Sequence, residues 1–483
     1  MTVAFYFGAS GSADILNAVF SIPNSLRKLL SSGDLSSAGI GYLLHAPSDE
    51  EESVRRGVLL CVTALVILPL GLLSFVFSSH VLSFLFQFSD PELAEHAVLF
   101  FRINIFFICL LFLSSSLISF LHTKKNFLIP AVSQLFFSVF GILGIIAFNN
   151  IFSISSFALG GLLGGILQVL LLVYFVKKID FSVSFQWKLK YFLYQSADLL
   201  TYTLTAAAAS GLSVFHYQLS VFLASTAGEG GFSAVTNSFV FFHLPYGIIA
   251  SSIISTAFPC LFKKSEQKEI NQVINKESSG IVFLLLFLTI PFSIALFTFA
   301  EEGIAICLFH GEFTLSDLHR TAMILRRIAP GLIGLALLQF LSKYLFSQKH
   351  TIASVIFPIV SIFLHIIFYF VLGTRLTPLS ALSTSFTSAV STTSLICFVY
   401  LSTITKSLSF SYGKHLLFLV LYTVVLSFLS YVYYIFGKPA MDYTNTIFLL
   451  LVILIASVLI SAISLIFLWI FRINILKILR NNT

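Results

Sequence analysis

Long apolar runs, separated by short polar connections, make up nearly the whole chain. Windows long enough to cross a bilayer, about 20 residues each, fall at roughly 10–30, 57–79, 93–121, 127–148, 154–176, 191–223, 232–262, 279–300, 317–346, 352–372, 379–404, 412–436 and 445–471. The opening MTVAFYFGAS reads as the last turns of a helix, so a truncated first span precedes about thirteen full ones. Alternate connections differ in charge. One set carries Arg55 and Arg56; Lys124 and Lys125; Lys177, Lys178, Lys188 and Lys190; Lys263, Lys264, Lys268 and Lys276; Lys349; Lys406 and Lys414; and, after the last span, Arg472, Lys477 and Arg480. The other set holds only Arg320, Arg375 and Lys438. Basic loops stay on the cytoplasmic side. The C-terminus is therefore expected to be cytoplasmic, and the span at 10–30 to run inward.

That inward span, within residues 12–36, is unusual because it is apolar yet carries Asp14, Asn17, Asn24, Arg27 and Lys28. At about 3.6 residues per turn, Asp14, Asn17, Ser21, Asn24, Ser25 and Lys28 share one face, while Arg27 falls beside it. Pro23 breaks one backbone bond in its middle. A charge at the bilayer centre costs about 3 kcal/mol or more, so this face is expected to look into water or protein, as one wall of a hydrated cavity. The alternative is a helix whose charges snorkel to its ends.

Composition agrees with a polytopic membrane protein: 58% of the 483 residues are hydrophobic and 10% charged, against about 25% charged in soluble domains. The net charge of +7 is explained by the basic loops, and no nucleic-acid partner is expected. The five cysteines form no CxxC pair and read as small packing residues, with no metal expected. The opening residues show no basic n-region followed by a small-residue cleavage site, so no signal peptide is expected in them. There is no P-loop, HExxH or GxSxG pattern, so hydrolysis and nucleotide chemistry lack support and the chain is not expected to be an enzyme or to hold a cofactor.

An internal repeat is visible. Leu85-Phe86-Gln87 recurs as Leu308-Phe309-His310, Arg102-Ile103 as Arg327-Ile328, Phe120–Lys125 as Tyr344–Lys349, and Pro23 as Pro245, at an offset of about 222–225 positions. The expected fold is all-α: two six-helix bundles related by a pseudo-two-fold axis along the membrane normal, plus two C-terminal helices. The expected parts are an N-terminal lobe at 1–176, an amphipathic cytoplasmic linker at 177–190 containing Trp187, a C-terminal lobe at 191–405, and 406–483 for the last pair and tail.

Phe7-Gly8-Ala9, Ala13-Asp14, Pro23-Asn24-Ser25-Leu26-Arg27-Lys28 and Gly33 resemble the second-helix signature of the MurJ/MviN lipid II flippases. Leu121-His122-Thr123 with Phe127-Leu128-Ile129-Pro130-Ala131, and Leu308–Thr314, are similar to that family's loop motifs, the last being LFxxGxFT in the family. The resemblance covers essentially the whole chain. It implies membership of the multidrug/oligosaccharidyl-lipid/polysaccharide exporter superfamily, a central cationic cavity, and a lipid-tail groove formed here by 412–471. It further implies alternating-access flipping of lipid II, an undecaprenyl-diphosphate-linked muropeptide, across the bacterial cytoplasmic membrane for cell-wall synthesis. Membrane lipids and other cell-wall synthesis proteins are implied partners. Several family features are missing. The family's first-helix arginines lie before the start of this sequence, its arginine five positions before the helix-breaking proline is Val240, the acid two before that proline is His243, and its Thr-Pro is Ala353-Ser354.

Asp14, Asn24, Arg27, Lys28, Arg102 and Arg327 are the candidate substrate-binding residues. Arg27 and Lys28 suit a diphosphate through charge-assisted bonds, or serve as ordinary positive-inside anchors. Asp14 pairs with a cavity cation or takes part in ion coupling, or else forms an interhelical salt bridge. Arg102 and Arg327, or its neighbour Arg326, occupy repeat-related places and would replace the missing arginines, unless loop acids neutralise them. Gly160-Gly161 and Gly164-Gly165 read as helix-packing sites. His216, His243 and His365 read as structural, with proton relay the other option. Asp49–Glu52 with Arg55 and Arg56 reads as a solvated turn. Drive would come from Na+ or H+, or from the membrane potential, at about 2.3 kcal/mol per charge per 100 mV. Two alternatives stay open: export of another lipid-linked oligosaccharide or a drug, and a non-transporting scaffold for envelope assembly.

Overall fold

A computed structural model describes residues 2–31, 42–43, 48–86, 91–124, 126, 128–153, 155–178, 184, 192–197, 199, 214–254, 271–348, 350–403, 413–437, 443 and 445–471. Among these residues every regular element is a helix, the arrangement that satisfies backbone amides inside hydrocarbon. Most of the expected 177–190 linker with Trp187, the 472–483 tail and Gly33 lie outside the described residues, as do the side chains of Arg27 and Lys28.

The chain divides into two compact units, Ser10–Phe232 and Val3–Ala9 with Ser233–Thr483. A short helix α1 (Thr2–Phe7) sorts with the second. The first unit holds α2 (Gly11–Ser31), α3 (Asp49–Val76), α4 (Ser78–Leu85), α5 (Pro91–Thr123), α6 (Leu128–Ser133), α7 (Leu135–Phe152), α8 (Ser155–Lys178) and the short apolar α9 (Val214–Leu223). The long α5 is its hub, with α2, α3 and α8 packed on it. Glycines bring α7 and α8 into backbone contact. A Cβ on Gly160 would lie 2.3 Å from the Phe140 carbonyl oxygen, and one on Gly144 2.4 Å from that of Ser156, so neither position admits a side chain without parting the helices.

The expected solvated turn at Asp49–Glu52 is instead the start of α3, capped by Ser48, whose hydroxyl accepts the Glu51 amide. Arg55 and Arg56 are only 8% and 5% exposed. Arg56 pairs with Glu52 one turn away. The Arg55 guanidinium donates to the Tyr42 carbonyl at 2.5 Å and lies 4.9 Å above its ring. Gln195 joins the network by accepting from Tyr42 Oη and donating to Glu51. Helical i,i+4 pairing and aromatic cover offset the desolvation that a loop could not.

The second unit continues with α10 (Gly231–Pro245, its first two residues assigned to the first unit), which runs into a π turn (Tyr246–Ser251). Then follow α11 (Asn271–Thr298), α12 (Ala300–Leu308), α13 (Leu315–Ile328), α14 (Gly331–Ser347), α15 (Thr351–Gly373), α16 (Pro378–Thr403), α17 (Gly413–Val432, ending in a π turn, Tyr433–Gly437) and α18 (Thr446–Ile470). Here α16 is the hub for α13, α14 and α15, while α11 ties that group to α17. Phe283, Phe287, Phe418 and Tyr422 form the α11–α17 contact with Leu419 and Leu426. Most of α18 exposes apolar side chains, as lipid contact requires.

Ten described helices are long and apolar enough to span, and α13 with α14 adds a pair bent by 44°. The expected thirteen or fourteen spans include two that the described residues cover only in part. The windows at 10–30 and 191–223 both extend beyond the fully described residues, within which their apolar helical parts are Ala13–Ile22 and Val214–Leu223.

Candidate functional site

In the first unit the polar stripe of α2 faces α9 and the turn that follows it. Asp14 is 4% exposed. Its Oδ2 accepts the Gly230 amide at 2.6 Å. Reciprocally, Glu229 Oε1 accepts the Gly11 amide at the start of α2, at 2.9 Å, where the helix dipole favours an anion. Gly228 and Gly230 hold φ of +75° and +78°, which glycine adopts without strain. About two to three turns further along, Gln218 donates to Ser21 at 2.9 Å and accepts from Ser25 at 3.0 Å. The expected wet wall is thus, at its Asp14 end, an interhelical seam. Asn17 and Asn24 are half-buried. Arg27 and Lys28 occupy the last turns of α2.

Arg102 of α5 is exposed and borders a cavity of about 780 Å³ with Ser79, His80, Ser83 and Glu95. Its Nε donates to Ser78 at 2.9 Å and its guanidinium lies 5.4 Å from the Phe75 ring centre. In the second unit Arg327 is half-buried, with Nη1 donating to Thr384 at 3.1 Å. Neither arginine has an acidic partner within ion-pair distance among the described residues. The neighbouring Arg326 does, pairing with Glu301 at 2.8 Å. Of the two adjacent arginines, Arg327 is the one without a carboxylate partner among the described residues.

Two of the sequence motifs meet in the second unit. The Glu312 amide donates to the Phe5 carbonyl at 3.1 Å. Gly8 (φ +58°) and Gly311 (φ +66°) line this contact, and a Cβ on either would lie 2.4 or 2.2 Å from the opposing carbonyl oxygen. The FGA and LFHGEFT stretches therefore share one task, a backbone-to-backbone contact. Val240 is 56% exposed and brings no charge to the unit. His243 packs against Phe239 and Phe242, and His365 against Phe386. An apolar cavity of about 350 Å³ lies between α11, α17 and α18, lined by Ile294, Leu426, Val452 and Leu459. Most of its lining residues fall within 412–471.

The family model for the lipid II flippase MurJ matches residues 3–470. The chain belongs to the MurJ family. Among curated relatives, a probable lipid II flippase MurJ of Borreliella burgdorferi is 31% identical over 358 residues, covering 72% of this chain and 68% of the relative. One of Aquifex aeolicus is 26% identical over 452 residues, covering 90% and 84%. The fold is that of a solved lipid II flippase MurJ in an inward closed conformation, with TM-score 0.78, 24% identity, and coverage of 97% and 94%. An inward-facing multidrug MATE transporter of the MOP superfamily shares it at TM-score 0.72 and 13% identity, over 83% and 92%. The chain is thus an all-helical, multi-pass membrane protein with the fold common to MurJ and MATE transporters.

Some participants escaped the sequence reading. Gln218 and Glu229 sit in stretches read only as span and loop, and their α2 partners are about two hundred positions away (|i−j| 193 to 218). The adjacent acids Glu301 and Glu302 gave a usable signal, two carboxylates entering an apolar run.

Proposed function

We propose that this chain flips lipid II across the bacterial cytoplasmic membrane by alternating access, delivering cell-wall precursor to the outer face. The observation that carries the reading is the MurJ family match across residues 3–470. The chemistry of the residues supports the parts. Arg27 and Lys28, at the end of α2 that the loop charges place inside, meet the diphosphate, with Asn24 one turn before them. Arg102 and Arg327, which lack acidic partners among the described residues, serve as further cations for the head group. Asp14 acts as a positioning residue, holding the turn after α9 against α2. The apolar cavity between α11, α17 and α18 receives part of the polyprenyl tail. No covalent step is needed: an ion gradient or the membrane potential resets the carrier, and the C-terminus stays inside.

Complementation tests this. In cells depleted of their own flippase, the wild-type chain restores growth and prevents cytoplasmic accumulation of lipid-linked precursor. R27A/K28A does not, although the protein is inserted at normal level. Precursor still accumulating with inserted wild-type protein overturns the reading.

A further inference from the structure

The second unit encloses a carboxyl pair that none of the steps above uses. Glu301 and Glu302 open α12, just past the end of α11, and are 4% and 0% exposed. Around them lie one arginine, one histidine and two tyrosines. Arg326 Nη1 is 2.8 Å from Glu301 Oε1, and His319 Nδ1, on the same helix α13, is 3.6 Å from that oxygen. Tyr443 Oη donates to Glu301 Oε2. Glu302 Oε1 accepts from Tyr433 Oη at 2.8 Å, while Glu302 Oε2 is buried with no hydrogen-bond partner among the described residues.

Among the described residues, Arg326 and His319 lie within ion-pair distance of Glu301, and Glu302 has no cation at such distance. Glu302 is 0% exposed, and a buried ion without a close counter-charge is strongly disfavoured. Among the described residues, no helix packed on α12 other than α13 brings a cation near it. α18 packs against α12 and has no titratable residue. The only ionisable residues of α11, Lys276 and Glu277, are near its opposite end. Tyr433, on the π turn, brings a neutral hydroxyl, as does Tyr443. Lys438 and Asp442, between these tyrosines, fall outside the described residues.

We propose that Glu302 is a proton-binding site, in which Oε2 takes a proton from water and the acid is held by Tyr433 on the π turn that ends α17. The donor in that water is hydronium: one of its O–H bonds breaks, leaving water, as one O–H bond forms at Oε2. Desolvation works in the same direction, pushing the Glu302 carboxyl above the ordinary carboxylate range, with the neighbouring Glu301 charge adding to it. Tyr433 joins the π turn to α12, so the proton also sets how tightly that turn is held. π turns are common at such functional points. This site would make H+ the ion in the flippase reading above, but its test does not depend on flipping.

The experiment is infrared difference titration of the purified, detergent-solubilised full chain. Wild type shows a protonated-carboxyl C=O band that persists above the pH at which ordinary glutamates ionise. E302Q lacks it and E301Q keeps it. Y433F removes the Tyr433 donor to Glu302, which favours the charged form, so the band's midpoint moves up by about one pH unit, the size expected for one hydrogen bond to a carboxylate. A wild type without such a band, or a band that E302Q leaves in place, overturns the proposal. Should E302Q fail to fold, the Y433F shift decides alone, and an unmoved midpoint overturns it.

Discussion

Replacing Asp14 separates two roles that a buried acid on α2 could play. The Asp14 carboxylate accepts the Gly230 amide at 2.6 Å and is 4% exposed. D14A removes the acceptor and leaves a buried amide donor unpaired. A hydrogen bond to a charged group contributes about 1.5–3 kcal/mol, and a stranded buried donor costs a similar amount. A loss of about 2 kcal/mol is therefore expected, which lowers Tm by about 4–8 °C for a unit of this size. D14N keeps an oxygen in the same place and gives up only the charge assistance, so it loses about half as much. The assay is thermal unfolding of the solubilised protein, paired with complementation in flippase-depleted cells. If Asp14 positions the turn, activity follows stability: D14N retains most of both and D14A loses most of both. A D14N variant as stable as wild type yet as inactive as D14A would refute the positioning role and assign the negative charge itself to transport. A D14A variant of unchanged Tm would refute the energetic argument.

Gly311→Ala must place a Cβ 2.2 Å from the Phe5 carbonyl oxygen at φ +66°. The left-handed backbone alone costs about 1–2 kcal/mol, so less folded protein reaches the membrane, as read by quantitative immunoblotting of membrane fractions. Gly160→Leu separates α7 from α8 and lowers Tm more than Gly303→Leu, where nothing lies within 4 Å of the added Cβ; equal effects would contradict the packing account. Stability should also fall with rising pH. The Glu302 carboxyl is raised in the folded state, so its contribution is complete below the ordinary carboxylate value and is lost as pH climbs through the folded value. E302Q flattens that part of the Tm profile. R102A and R327A, which break only contacts with hydroxyls and with the Phe75 ring, should keep Tm within a degree or two and reduce flipping in combination.

The spans were legible because about 20 apolar residues have few alternatives to a membrane helix, and the Gly160 and Gly164 spacing foretold close packing. The polar face of α2 was legible too, as a face that must avoid lipid. Its partners were not. Gly230 lies 216 positions from Asp14, and no local pattern connects a carboxylate to one backbone amide in a distant turn. Arg55 and Arg56 misled for a related reason. A basic pair beside acids reads as a solvated turn, and only the arrival of Tyr42 and Gln195 from elsewhere makes burial affordable. The arginines at 326 and 327 could not be ranked from sequence, because what distinguishes them is the position of Glu301 across the fold.

The most direct measurement reconstitutes the purified chain into vesicles carrying fluorescent lipid II in both leaflets and follows loss of signal to a membrane-impermeant quencher. With the protein present, the quenched fraction should rise beyond the outer-leaflet share seen in protein-free vesicles, and R27A/K28A should return it to that share. A quenched fraction equal to that of protein-free vesicles, from folded and inserted wild-type protein, would contradict the account.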